Sequence, residues 1–186
     1  NSNKEEELIF TDEEVYDGSI SHTQKDRNTD LIYISYSTPK TQARTYLYNL
    51  KTKEKKLVKE QVIPTGHDPK NYIVQRIECN SDDGRKVPLT ITRHKDTPLD
   101  GSANLLLYGY GSYGASMSPS FSSTRLSLIN RNIIWVTAHI RGGMERGMKW
   151  WKEGKLLNKK NTFNDYIAAA KFLIEKKYTS KGKIIG

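Results

Sequence analysis

The chain has 186 residues, 35% of them hydrophobic, and a formal net charge of +9. No apolar run approaches the roughly 20 residues of a membrane-spanning helix and no charged-then-apolar leader marks export, so a cytoplasmic protein with no membrane partner is expected. The single cysteine, Cys79, excludes an internal disulfide and a cysteine-based zinc site, and is expected as an ordinary half-buried strand residue. The basic balance invites a nucleic-acid reading, but the lysines of 51–59, 152–160 and 176–183 lie in turns and helix faces with a glutamate within or beside each run, and follow no nucleic-acid module. A lysine-rich solvated surface is the simpler account, and no nucleic-acid partner is expected.

Up to about Thr65 the chain reads as short strands and polar turns. Residues 31–37 and 43–49 alternate with the two-residue period of half-buried strands, and a turn at 50–53 leads into Lys55–Lys59. Two or three strands of an antiparallel meander cannot bury a core alone, so they are expected to belong to a larger assembly such as the terminal blade of a propeller. Pro64–Pro69 has the composition of a boundary. Beyond it, strands at 72–79 and 86–92 flank Ser81-Asp82-Asp83-Gly84, where Asp-Gly signals a hairpin turn, and Pro88 suggests an edge strand.

Leu105-Leu106-Leu107 reads as a strand buried on both faces, and Tyr108-Gly109-Tyr110-Gly111-Ser112-Tyr113-Gly114 as the loop leaving its carboxyl end, where open α/β sheets place their chemistry. Glycines there let the backbone approach a ligand, and tyrosines supply hydroxyl donors on rigid arms. A loop of this kind can hold an oxyanion; equally, its rings can simply pack. A short helix is predicted within 121–130 and a second buried strand over 132–138, ending in His139-Ile140-Arg141-Gly142-Gly143. An irregular stretch to Asn161 follows. Thr162 and Asp165 have capping-box spacing for a helix whose apolar stripe is Phe163, Tyr166, Ile167, Ala170, Phe172, Leu173 and Ile174. Lys183–Gly186 begins a third buried strand or its exit. Alternating strands and helices from Leu105 onward predict a parallel sheet with covering helices.

Taken together, the Leu105–Gly114 stretch, His139–Gly143, and Trp151-Lys152-Glu153-Gly154-Lys155 running into 158–166 resemble the prolyl oligopeptidase family of serine peptidases, and within it the oligopeptidase B (protease II) branch. The resemblance implies an α/β fold: the N-terminal part of an α/β-hydrolase domain (67–186), preceded by the last antiparallel strands of a β-propeller and a linker (1–66). It also implies that the Tyr110 hydroxyl donates to the oxyanion of the tetrahedral intermediate. The family's serine stands in a Gly-x-Ser-x-Gly elbow after the strand equivalent to Lys183–Ile185, with Gly186 as the first glycine and the serine, aspartate and histidine beyond it. Without nucleophile and base the 186 residues alone are expected to be inactive on the family's substrates, short peptides cut after Lys or Arg. A separately encoded C-terminal half is a candidate partner.

No cofactor or metal is implied. His139 is expected to be a structural, hydrogen-bonded histidine, and Arg141 with Gly142 and Gly143 a structural turn rather than an anion site. His22, His67 and His94 are too scattered to nominate a metal site. Trp150 and Trp151 are expected to pack beneath the long loop rather than wall a cavity. Ser112 and Ser116 lack an elbow, and Glu145 and Glu153 are weak candidates for supporting the recognition of a basic side chain.

Overall fold

The computed structural model describes Phe10, residues 13–20 and residues 28–186; His22 lies outside these. Strands β1 (Asp17–Ile20), β2 (Leu31–Ser37), β3 (Arg44–Asn49) and β4 (Lys55–Glu60) form an antiparallel sheet in chain order. The meander expected over 31–59 is present. β1 extends it by one strand that carries no apolar alternation of its own and pairs Ile20 with Ile34. The core of this sheet is small, with Phe10, Ile34, Tyr36 and Tyr48 buried and the Phe10 and Tyr36 rings stacked at 4.3 Å. β4 is exposed along its whole length.

After a single 3-10 turn at Pro69–Asn71, capped by the Asp68 side chain, the second sheet begins. It comprises β5 (Tyr72–Asn80), β6 (Lys86–His94), β7 (Leu105–Tyr108), β8 (Ile134–Ala138) and β9 (Ile184–Ile185), in the spatial order β5-β6-β8-β7-β9. β5 and β6 are the expected hairpin. β6 runs antiparallel to β8, whereas β7 lies between β8 and β9 and is parallel to both. The side-chain period of two divides the sheet into faces. Ile77, Cys79, Val87, Leu89, Ile91, Ile134, Val136 and Ala138 face α3 (Lys160–Glu175), with Ala169 and Leu173 packed on them. On the other face Tyr72 and Trp135 meet Leu126 and Ile129 of α1 (Ser123–Ile129), whose first turn is capped by Ser122.

Several expectations change. Cys79 is buried in the core rather than half-buried, and desolvation pushes its thiol up to about 11. Pro88 sits on an interior strand, not an edge. Its carbonyl accepts from His139 N (2.9 Å), so its ring nitrogen faces the same neighbour, one residue beyond the last β6–β8 pair, Leu89–Ala138. The donor that proline lacks is replaced: Trp150 Nε1 donates to the His139 carbonyl at 3.0 Å. Leu105 and Leu107 are buried, but Leu106 only partly so. The stretch to Asn161 is not wholly irregular, since it holds α2 (Met148–Lys152), a 3-10 turn at Leu156–Asn158 and the start of α3.

Helix α3 departs most from its sequence reading. Thr162 and Asp165 form no capping box; both lie within the helix on its buried side. Phe163, Ile167 and Ile174 are exposed, whereas Ala169 and Leu173 are buried in the core with Tyr166, Ala170 and Phe172 packed against it. β9 is present where a third strand was expected, but at the sheet edge, with Ile185 55% exposed.

Candidate active site

The loop after β7 is held by close backbone approaches. Gly111 has φ +59°, and a Cβ there would stand 2.5 Å from Thr162 Cγ2 and 2.7 Å from Ile140 Cγ1, so only glycine fits. The Gly111 carbonyl in turn packs against Gly142, which has φ +101°, and Gly114 N donates to the Gly142 carbonyl at 2.9 Å. The two glycine loops, after β7 and after β8, thus interlock at the carboxyl end of the parallel strands. Tyr110 projects from this rigid loop 45% exposed, and its hydroxyl makes no hydrogen bond to any described residue. Tyr108 stacks on Trp135, and Tyr113, at φ +56°, is almost wholly exposed.

The N-terminal half of α3 presents a polar stripe to these loops. Lys159 Nζ donates to the Gly111 carbonyl (2.6 Å) and to Ser112 Oγ (2.7 Å). Thr162 Oγ1 donates to the Arg141 carbonyl (2.7 Å), and the Asp165 carboxylate accepts from Arg141 N, Nε and Nη2 at 2.6–3.0 Å. Tyr166 donates to the Leu107 carbonyl at 2.7 Å. The β7–β9 register, Leu105–Ile184 and Leu106–Ile185, brings Gly186 next to Leu107, and Tyr166 Oη occupies the space a Cβ on Gly186 would need. Gly186 therefore lies at the same end of the sheet as the loop that carries Tyr110.

Arg141 is a structural residue, as expected, but through partners that local sequence does not display. Its guanidinium is 2% exposed and also donates to Asp83 (2.5 and 3.2 Å) and Ser81, across from the β5–β6 turn. Burial would lower its pKa; the bonds to Asp165 and Asp83 outweigh that and raise it, while Arg141 holds the Asp83 carboxyl below the usual carboxylate range. With its donors engaged, Arg141 is not an anion site.

His139 is buried and hydrogen-bonded, again as expected. Arg76 Nη1 donates to Thr90 Oγ1 (2.6 Å), Thr90 Oγ1 is hydrogen-bonded to His139 Nε2 at 2.8 Å, and His139 Nδ1 lies 3.5 Å from Glu145 Oε1. That last separation is an electrostatic contact rather than a hydrogen bond. Burial lowers the His139 pKa below 6.5, more than Glu145 restores and in the same direction as nearby Arg76. The unfolded chain therefore takes up a proton that the folded chain refuses, and stability falls as pH drops below about 6.5. Urea unfolding at pH 7.5 and 5.5 is expected to show this loss in the native chain and a smaller one in His139→Gln.

Most of the remaining candidates are engaged in contacts of their own. His67 Nε2 donates to the Lys40 carbonyl (2.6 Å) and stacks on Tyr72, whose ring His94 meets edge-on. No group of three or more metal-ligating side chains occurs among the described residues. Ser112 accepts from Lys159, Ser116 is exposed, Glu145 is buried against His139 and accepts from Met117 N, and Glu153 pairs with Arg85 (2.8 Å). Trp150 packs in the core as expected. Trp151 instead lines a cavity of about 470 Å³ with Ser112, Tyr113, Lys155, Leu156 and Lys159. Lys159 and Tyr166 were absent from the sequence reading of the site; for Tyr166 the only signal was its place in an apolar stripe, which pointed to packing.

Known proteins resemble this arrangement closely. Residues 119–186 match the prolyl oligopeptidase family. Dipeptidyl aminopeptidase BI of Pseudoxanthomonas mexicana is 40% identical over 179 residues, which is 96% of this chain and 24% of that protein. Protease 2 of Moraxella lacunata is 40% identical over 178 residues, 95% of this chain and 25% of that protein. Oligopeptidase B from Leishmania major superposes with a TM-score of 0.86 at 34% identity, over 95% of this chain and 25% of its own. The chain belongs to the prolyl oligopeptidase family of serine peptidases. As a prolyl oligopeptidase family segment it spans about a quarter of the length of these relatives. Oligopeptidase B from Trypanosoma brucei, solved with covalently bound antipain in a closed form, superposes equally well, with a TM-score of 0.87.

Proposed function

We propose that the chain supplies the oxyanion-binding part of a serine oligopeptidase whose nucleophile and base stand on polypeptide beyond Gly186. The observation that carries this reading is the pairing of β7 with β9, which delivers Gly186 to the same sheet end as an immobilised loop whose Tyr110 hydroxyl is left without a partner. A donor held ready for a charge that develops only in the transition state is what acyl transfer requires. In family terms Gly186 opens the elbow, residues 67–186 are the first part of the hydrolase domain, and residues 1–66 are the last propeller strands and linker. Antiparallel β1–β4, with their thin core and exposed β4, support the latter assignment. The substrate is a short peptide cut after Lys or Arg, and the setting is cytoplasmic. No helix among the described residues is long and apolar enough to cross a membrane.

By itself the chain holds a donor and no nucleophile, so it does not turn over peptides. The open edge of β9 and the exposed apolar side chains Phe163, Ile167, Ile174 and Ile185 favour association with a C-terminal polypeptide, whether joined to the chain or encoded separately. The purified 186-residue chain is expected to leave a short arginyl substrate uncleaved. Adding the C-terminal polypeptide of a family member, from the elbow serine onward, is expected to yield activity. Turnover by the chain alone that follows it through purification overturns the reading, as does a stable complex of the two polypeptides that shows none.

A further inference from the structure

Lys159 stands where its charge is least welcome. It occupies the N-cap position of α3, whose first turn carries no acidic residue and whose cap makes no side-chain hydrogen bond, so the positive end of the helix dipole repels it. Its side chain nevertheless reaches across 48 residues of sequence to the Gly111 carbonyl, immediately after Tyr110, and to Ser112 Oγ. The Gly111 carbonyl has no strand partner, because β7 ends at Tyr108, and the ammonium provides one. On its other side Gly111 is wedged against Thr162, Ile140 and Arg141. The loop is thus pressed from one side and drawn by a charge-assisted hydrogen bond from the other. The Tyr110 side chain lies outside this clamp and keeps its hydroxyl free.

We propose that Lys159 is a positioning residue for Tyr110: its ammonium, bonded to the Gly111 carbonyl and Ser112 Oγ, sets the direction in which the phenol hydroxyl points toward the reacting carbonyl. The inference rests on the reading of Tyr110 as an oxyanion donor. Lys159 touches no reacting atom and acts through the backbone of the loop. Electrostatic stabilisation depends on donor placement, and a displacement of about 1 Å costs on the order of a hundredfold in rate.

In the 186-residue chain, Lys159→Met is expected to raise amide hydrogen exchange about tenfold at Gly114 and Ala115, whose amides donate to the Gly142 and Ser112 carbonyls, while β7 and β8 keep their protection. Ser112→Ala, which leaves the Gly111 bond in place, is expected to give a smaller rise, and Lys159→Arg to stay near the native rate. Unchanged loop exchange in Lys159→Met overturns the clamp. In the enzyme assembled with the C-terminal polypeptide, Lys159→Met is expected to lower kcat about 10- to 100-fold at nearly constant KM, with Lys159→Arg recovering most of it. A native assembly that is active and a Lys159→Met assembly that matches it, or loses only KM, overturns the positioning role. A native assembly without activity, alongside the expected change in exchange, defeats the peptidase reading instead.

Discussion

Arg141→Met is expected to destabilise the chain by about 3–5 kcal/mol, the cost of leaving a buried charge without its partner. Asp165 is 0% exposed and, among the described residues, accepts only from Arg141, through the backbone N–H and the guanidinium, so removing the guanidinium strands a carboxylate in the core. The same change releases Asp83 in the β5–β6 turn and loosens the loop that interlocks with Gly111. For a chain of this length the loss corresponds to a fall in Tm of roughly 10 °C. The double variant Arg141→Met/Asp165→Leu is expected to recover much of it, because no buried charge then remains unpaired, Asp83 being half-exposed to solvent. Urea unfolding of the single and double variants measures both effects; a single variant within about 1 kcal/mol of the native chain rules out the network as a structural keystone.

Tyr110→Phe is expected to lower kcat of the assembled enzyme by about 10²- to 10³-fold, the usual consequence of deleting one oxyanion donor, with KM little changed. The substitution removes one oxygen from a half-exposed side chain that bonds to no described residue, so the fold and the assembly are expected to be unaffected. That separation makes the result informative. Steady-state kinetics on an arginyl substrate, compared with the Tm of each variant, distinguish lost catalysis from lost structure. An unchanged kcat removes Tyr110 from the reaction.

Much of the architecture was legible because it depends on local period and turn chemistry. The meander over 31–59, the hairpin around Asp83-Gly84, the strands at 105–108 and 134–138 and the last long helix all occur where alternation, glycine and apolar spacing placed them. The errors share a cause. Pro88 was read as an edge residue because proline lacks a donor, yet a tryptophan 62 positions later supplies one to the carbonyl left bare. Thr162 and Asp165 have the spacing of a cap, but their side chains bond better to the Arg141 loop than to the helix's own amides. Phe163 and Ile167 look like core residues by hydrophobicity, but the face that α3 turns to the sheet carries Ala169 and Leu173 with Tyr166, Ala170 and Phe172.

The amino-acid sequence by itself determined which segments become strands and helices, the family to which they belong, and the glycine loop that carries Tyr110. Those features are set by interactions within a few residues, or by motifs long enough to stand on their own. The tertiary structure alone decided that Lys159 seizes the Gly111 carbonyl, that Arg141 is shared between Asp165 and Asp83, and that Tyr166 reaches the Leu107 carbonyl. Each of these bonds joins residues at least 24 positions apart. A hydrogen bond over that separation depends on where the sheet brings two backbones together, and no periodicity along the chain encodes it.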